Sequence, residues 1–206
     1  MGEARDDRWV RYYDNVAGRP PRGTLLRALA AIDAEEGGPR SDALALDLGA
    51  GDGRDTVELL RRGYRVLAID CEPRAFERLR ARADLVRREA LETRVARFED
   101  VELPPADLIN ASFALPFCRP ERFAAFWPRL LAALKPGARF AGQLLGARDS
   151  WASGPEITAF EPHVARALLA SLSVEYWWEE EADGATPTGE KKHWHLLHIV
   201  ARKPAR

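Results

Sequence analysis

Cysteine is nearly missing from this 206-residue chain: only Cys71 and Cys118 occur, with no CxxC spacing. That leaves neither a disulfide framework nor a cysteine zinc site, and a reducing cytoplasm is the expected setting. An excess of one charge is lacking too. Lys and Arg total 31 against 32 Asp and Glu, a net charge of −1. Such a balance gives no global attraction to nucleic acid or to an anionic membrane, and neither is expected as a partner. No apolar run approaches the ~18 residues of a transmembrane helix. The stretch MGEARDDRWV has no apolar centre of a secretion signal. Its Met-Gly start misses the myristoylation pattern, because Asp6 stands where Ser or Thr is required. Internal repeats and low-complexity tracts are also missing. What is present is a hydrophobic content of 46%, enough for a full core, and 31% charged residues to solvate the surface. One compact domain is expected.

The order of elements is the more informative feature. Residues 42–48 (DALALDL) form an apolar run ending at glycines, which predicts a buried strand. Val57, Leu59 and Leu60 then lie among charges over 54–62, a helix stopped by Gly63. Residues 65–70 (RVLAID) make a second strand. Pro73 suits the first position of a helix whose apolar face is Ala75, Phe76, Leu79 and Ala83. Further strands are predicted at 94–98, 106–112 and 138–145. Before the last of these, a helix opens at Pro120 and places Phe123, Trp127, Leu130 and Leu134 in one stripe, ending at Lys135-Pro136-Gly137. Strands alternating with helices imply βαβ units and a parallel sheet. The tail differs: a helix over 161–172 precedes two strands, 173–179 and 193–202, joined by a polar loop and expected to pair antiparallel.

The strongest constellation is Asp47-Leu48-Gly49-Ala50-Gly51-Asp52-Gly53, directly after the first strand, with Asp70 closing the second. Glycines there let the chain turn sharply and let a ligand touch bare backbone. A carboxylate at the end of the second strand can accept hydrogen bonds from both hydroxyls of a ribose. Three readings compete. A dinucleotide site wants G-x-G-x-x-G, but Arg54 holds the third glycine position, and Asp47 would repel a pyrophosphate. A nucleoside ligand with a positive charge and no phosphate suits Asp47, which can meet an α-ammonium group; that ligand is S-adenosylmethionine. The third reading is a strand-to-helix turn with no ligand.

The run ALDLGAGDGRDT resembles the glycine motif of class I S-adenosylmethionine-dependent methyltransferases, and Ile69-Asp70 resembles the acidic position after their second strand. The resemblance covers about residues 42–202. The tail GATPTGEKKHWHLLHIVARK is similar to small methyltransferases related to tellurite-resistance methyltransferases. The resemblance implies a Rossmann-like single-domain α/β fold, with a mostly parallel seven-stranded sheet, an antiparallel last strand and helices on both faces. It divides the chain into an N-terminal helical lid segment, 1–40, and a methyltransferase domain, 41–206. It implies S-adenosyl-L-methionine as cofactor, leaving as S-adenosyl-L-homocysteine, and no metal. The cofactor-binding residues carried over are Asp47, Gly49, Ala50, Gly51, Asp70 and Cys71. Phe98, with Glu99 or Asp100, is expected at the adenine, and Asn110, Ala111 and Phe113 at the end of the fourth strand. This chain lacks the Asn/Asp-Pro-Pro-Tyr/Phe sequence found there in enzymes that methylate amines of nucleic acids, which argues against that acceptor class.

Methyl transfer from a sulfonium is an in-line displacement whose donor is already activated by its charge, so positioning matters more than covalent catalysis. A base is needed only where the acceptor must lose a proton. Trp9, Tyr12 and Tyr13 are expected over the cofactor as a lid. Arg19 and Arg22 are candidates to bind an acidic substrate, and Ser112, Asp149 and Trp151 to line its site. His193 is the first candidate for a base, with Tyr13 and Asp149 behind it. A small molecule is the expected acceptor; the alternatives are a peptide, protein or nucleic acid acceptor, or adenosylmethionine binding without transfer.

Overall fold

The computed structural model describes residues 11–205. Residues 11–16 are helical (α1). The order that follows is α2 (Gly23–Glu36), β1 (Leu44–Leu48), α3 (Arg54–Arg61), β2 (Arg65–Asp70), α4 (Pro73–Ala81), β3 (Leu91–Val95), β4 (Ala106–Ala111), α5 (Pro120–Ala133), β5 (Leu134–Gly146), β6 (Ala159–Phe160), α6 (Pro162–Leu168), β7 (Ser173–Ala185) and β8 (Lys191–Arg202).

The strands build one sheet in the order β3-β2-β1-β4-β5-β8-β7, with the two-residue β6 beside β5. β1 to β6 pair parallel, while β8 runs antiparallel to both β5 and β7. β1 lies in the interior of the sheet, between β2 and β4, and is buried along almost its whole length, as a strand covered on both faces requires. The pleat sends alternate side chains of β2 to opposite layers. Val66 and Ala68 pack beneath α3 and α4, in the same core as Leu25, Val57 and Phe76. Leu67 and Ile69 join the other core, built on Phe123, Trp127 and Leu130 of α5.

Local sequence accounts for the helix ends. Gly53 takes a φ of 81° ahead of α3, and a Cβ there would lie 2.1 Å from the Leu79 Cδ1 of α4, so no other residue fits both the turn and the packing. Pro73 begins α4, and the Glu72 carboxylate accepts the Arg74 N–H at 3.1 Å as its cap. Gly37 closes α2 in the left-handed region and donates to the Asp33 carbonyl.

Some boundaries differ from expectation. β3 comes three residues earlier than predicted, so Phe98–Asp100 is a turn of 3-10 helix and not the strand's end. β7 and β8 extend toward each other and leave only 186–190 between them, where a longer loop was expected. Within the segment expected to be a lid, α2 buries Leu25, Ala28, Leu29 and Ile32 in the core, so it is part of the sheet's cover.

Candidate functional site

The carboxyl ends of β1, β2, β3, β4 and β5 open into a cleft of about 980 Å³. Its first wall is the glycine turn. Gly49 and Ala50 both donate to the Ile69 carbonyl of β2, at 2.8 and 3.1 Å. Gly49 has a φ of 67°, and a Cβ there would stand 2.5 Å from that of Ala114. Gly51 has a φ of 56° and lies under the Tyr13 ring, which a Cβ would meet at 3.1 Å. The Asp70 carboxylate accepts the Gly51 N–H at 2.8 Å and the Glu72 N–H at 2.9 Å. One side chain thus fixes both the turn and the start of α4, and its remaining lone pairs face the cleft beside Cys71. Burial raises the Asp70 carboxyl and the Cys71 thiol above their usual ranges, and these two backbone N–H groups pull Asp70 back.

The floor is acidic. Asp47 is fully buried; its Oδ2 accepts from Thr56 Oγ1 at 2.5 Å and its Oδ1 from Asn110 Nδ2 at 2.8 Å. The same amide nitrogen donates to Asp55 at 3.0 Å, and Asp55 also accepts the Arg22 N–H at 2.9 Å. Two carboxylates therefore share one amide, and burial with the repulsion of Asp55 pushes the Asp47 carboxyl up to about 7. Asn110, expected at the cofactor, is instead buried and committed to this network, with Ser112 Oγ donating to its carbonyl at 3.0 Å. Ala111 is likewise buried behind the lining, against Gly142. Asp47 itself lines the cleft, so the network presents negative charge to it.

Beyond β3, Phe98 and Glu99 face the cleft. Asp100, which shares the 3-10 turn, points outward and pairs with Arg122 on α5. The two acids that the sequence left unranked are thus separated by the turn: Glu99 lies in the cleft and Asp100 on the surface.

The far end is aromatic. Phe117 and Trp151 stand 6.2 Å apart, Trp151 and Trp194 5.7 Å, and Trp194 and Phe113 6.1 Å between ring centres. The Arg22 guanidinium lies 4.3 Å above Phe113. Phe113 holds a φ of 55°, unusual for a side chain of its size, and donates its N–H to Gln143 Oε1 at 2.9 Å. Gln143 Nε2 in turn reaches Thr24 Oγ1 of α2 at 2.8 Å. Tyr12, Tyr13, Arg19 and Ser112 also line the cleft. Burial and the nearby Asp70 raise the Tyr13 phenol far above its usual value, which makes it a poor proton acceptor at neutral pH. Trp9 lies outside the described residues.

Two expectations are overturned, one on β8 and one in the segment after β5. His193 was placed near the cleft by topology. Strand alternation instead sends Trp194, Leu196 and His198 into the cleft and turns His193 outward. There its ring nitrogens meet Asp183 at 2.7 Å and Glu181 at 3.2 Å, contacts that raise its pKa. Asp149 does not line the cleft either. It is buried against Lys192 and accepts N–H bonds from Trp151 at 2.9 Å and His195 at 3.0 Å. Lys192 lies 4.0 and 4.4 Å from the rings of Trp151 and Trp194, so this ion pair props the aromatic wall from behind. Among the described residues, Glu179, Glu181 and His195 approach one another as metal ligands would. The Arg148 guanidinium already reaches all three, at 2.8, 2.8 and 3.2 Å.

Lining residues that sequence reasoning did not single out include Trp194, His198, Glu180 and Asp55. The period-2 pattern of WHLLH contained the first two, but only the register against β5 says which phase faces inward.

Residues 45–137 match the family model described as "Methyltransferase domain". No curated protein matches the chain. Solved structures share its fold. The 1,6-didemethyltoxoflavin-N1-methyltransferase of Burkholderia thailandensis is 23% identical over 98% of this chain and 87% of its own, with a TM-score of 0.63. The N-methyltransferase NodS of Bradyrhizobium japonicum is 17% identical over 99% of each chain, with a TM-score of 0.66. A TehB-like SAM-dependent methyltransferase of Corynebacterium glutamicum is 20% identical over 98% of this chain and 100% of its own, with a TM-score of 0.63.

Proposed function

We propose that the chain, whose residues 45–137 match a methyltransferase-domain model within a mostly parallel sheet, transfers a methyl group from S-adenosylmethionine to a small molecule. The observation that carries the cofactor is the glycine turn held by Asp70 above a buried pair of carboxylates. That floor suits a cation and disfavours a phosphate. The residues fit the cofactor in detail. Gly49–Gly51 offer bare backbone, Asp70 has lone pairs for the ribose, Phe98 and Glu99 serve the adenine, and Asp47 offers charge toward the ammonium group. When bound, the cofactor supplies a methyl group on a positively charged sulfur. The chain's part is to hold the acceptor in line with that methyl and exclude water.

A small acceptor is supported by the aromatic end of the cleft and by the balanced charge of the chain. One neighbour bears a name that points the same way, an N1-methyltransferase of 1,6-didemethyltoxoflavin. Residues 11–22, which bring Tyr12, Tyr13, Arg19 and Arg22 over the cleft, serve as its lid. Among the described residues no helix is long and apolar enough to cross a membrane. A cytoplasmic setting suits a chain whose two cysteines, Cys71 and Cys118, are both free thiols.

Calorimetric titration with S-adenosylhomocysteine, with NAD as control, tests the cofactor. Micromolar binding of the first alone supports the reading, and binding of NAD alone ends it. The Asp47 carboxyl gives the titration a pH signature. A bound ammonium group favours the ionised carboxylate, so binding should release a proton, and affinity should climb as pH rises toward about 7 and level off above it. Titrations in buffers of different ionisation enthalpy read the proton directly. Affinity that stays flat between about pH 5 and 8 removes Asp47 from the binding floor. His193 gives the opposite expectation. His193→Ala should leave S-adenosylhomocysteine affinity and the melting midpoint close to those of the parent, as for an exposed side chain. A clear loss in the same titration would return it to the site.

A further inference from the structure

One histidine in the cleft has the arrangement of a proton acceptor. His198 Nε2 lies 2.8 Å from Glu180 Oε2. A carboxylate only accepts, so Nε2 carries the hydrogen and Nδ1 the lone pair. Among the described residues Nδ1 meets no hydrogen-bond partner. The ring plane is set by Trp178, stacked at 4.8 Å and 22°. The groups packed around the imidazole are few. β7 presents Glu180, β5 presents the neutral Gln143 in register with His198, and the segment before α2 presents Arg22. Burial, reinforced by the Arg22 charge, outweighs Glu180 and keeps the imidazole below its usual pKa, so it is neutral and able to accept at pH 7.

Same-face residues follow one another at about 7 Å along a strand, so Trp194, Leu196 and His198 form one row from the aromatic wall to this dyad. Flat rings lining one end of a cleft favour a flat guest. The Arg22 guanidinium above Phe113 offers a counter-charge for an acceptor that has lost its proton.

We propose that this end of the cleft takes a planar aromatic acceptor carrying an acidic O–H or ring N–H, and that His198, oriented by Glu180, receives its proton. The inference rests on the methyltransferase reading. The acceptor's lone pair forms the new bond to the methyl carbon. The carbon–sulfur bond breaks with its pair left on sulfur, and the acceptor's proton ends on His198 Nδ1. His198 is the catalytic residue and Glu180 a positioning one. A soft anion such as a thiolate needs no such dyad.

The test needs no knowledge of the true acceptor. 4-Nitrophenol turns yellow only when ionised. It is added to the whole chain saturated with S-adenosylhomocysteine, and the colour of the bound probe is followed against pH. In the parent protein the bound probe should become yellow below the pH at which the free phenol does. In His198→Gln that midpoint should rise by about one pH unit or more, with S-adenosylhomocysteine affinity unchanged. In Glu180→Gln, a milder change at a partly exposed side chain, it should fall between the two. A bound probe that stays colourless in the parent, or equal colour in His198→Gln, overturns the base. A probe that does not bind the loaded protein overturns the aromatic acceptor site. Failure to bind S-adenosylhomocysteine at all precedes these steps and strikes the methyltransferase reading instead.

Discussion

Lys192→Met should lower the melting midpoint by roughly 10 °C, the largest loss expected from any exchange of one surface-type residue in this chain. Both side chains of the Lys192–Asp149 pair are shut off from solvent, with 1% and 0% exposure. Removing the cation leaves a carboxylate buried without its charge partner, which costs about 3–5 kcal/mol. That is a large part of the ~5–15 kcal/mol that holds a domain together. Burial already draws the Lys192 amine below its usual pKa, which is the penalty that Asp149 offsets. Packing is lost as well, since Trp151 and Trp194 rest on the ammonium group. The double variant with Asp149→Asn should recover part of the loss, because a neutral amide can still accept one of the two N–H bonds. Thermal unfolding followed by circular dichroism reads both. A single variant that melts within about 2 °C of the parent would show that the pair contributes little to stability.

The second large effect concerns the cofactor. Asp70→Ala should weaken S-adenosylhomocysteine binding about 10- to 100-fold or more, since hydrogen bonds to a charged group are worth about 1.5–3 kcal/mol. The loss has two parts. Hydrogen bonds to the ribose disappear, and the Gly51 and Glu72 N–H groups lose the acceptor that fixes the turn. Asp70→Asn separates them. Its carbonyl oxygen can hold one N–H, while its amide faces the other as donor against donor. It should therefore bind better than Asp70→Ala yet worse than the parent. Calorimetry on the three proteins gives the order, and an Asp70→Ala affinity equal to the parent's would remove Asp70 from the site.

The parts of this molecule that follow from short-range chemistry were legible in its sequence. A central strand has to be apolar on both faces, and LALDL is. A turn at positive φ favours glycine, and Gly49, Gly51 and Gly53 all adopt it. Pro73, Pro120 and Pro162 each sit at the start of a helix. The failures share another cause. The facing of β8 depends on its register with β5, a pairing between residues more than fifty positions apart, so the inward histidine was mistaken for its outward neighbour. Asp149 and Asn110 are polar residues near the right strand ends, and nothing local distinguishes a polar side chain that lines a cleft from one consumed by a buried partner. Glu99 and Asp100 were inseparable for the same kind of reason, because a single turn of 3-10 helix decides between them.

Several contacts around the cleft involve a charged group: Asp55 accepts the Arg22 N–H, Lys192 pairs with Asp149, and Glu180 accepts from His198. The joint that sets Phe113 involves none. One uncharged amide, that of Gln143, links the turn after β4 to the first full helix through Phe113 N–H on one side and Thr24 on the other. It holds a residue whose left-handed backbone costs on the order of 1 kcal/mol or more. Neither added salt nor a change of pH acts on such a link. Across the conditions a cell or a buffer imposes, the charges lining the site vary in strength while the ring they surround keeps its place, like a fixed post among adjustable stays.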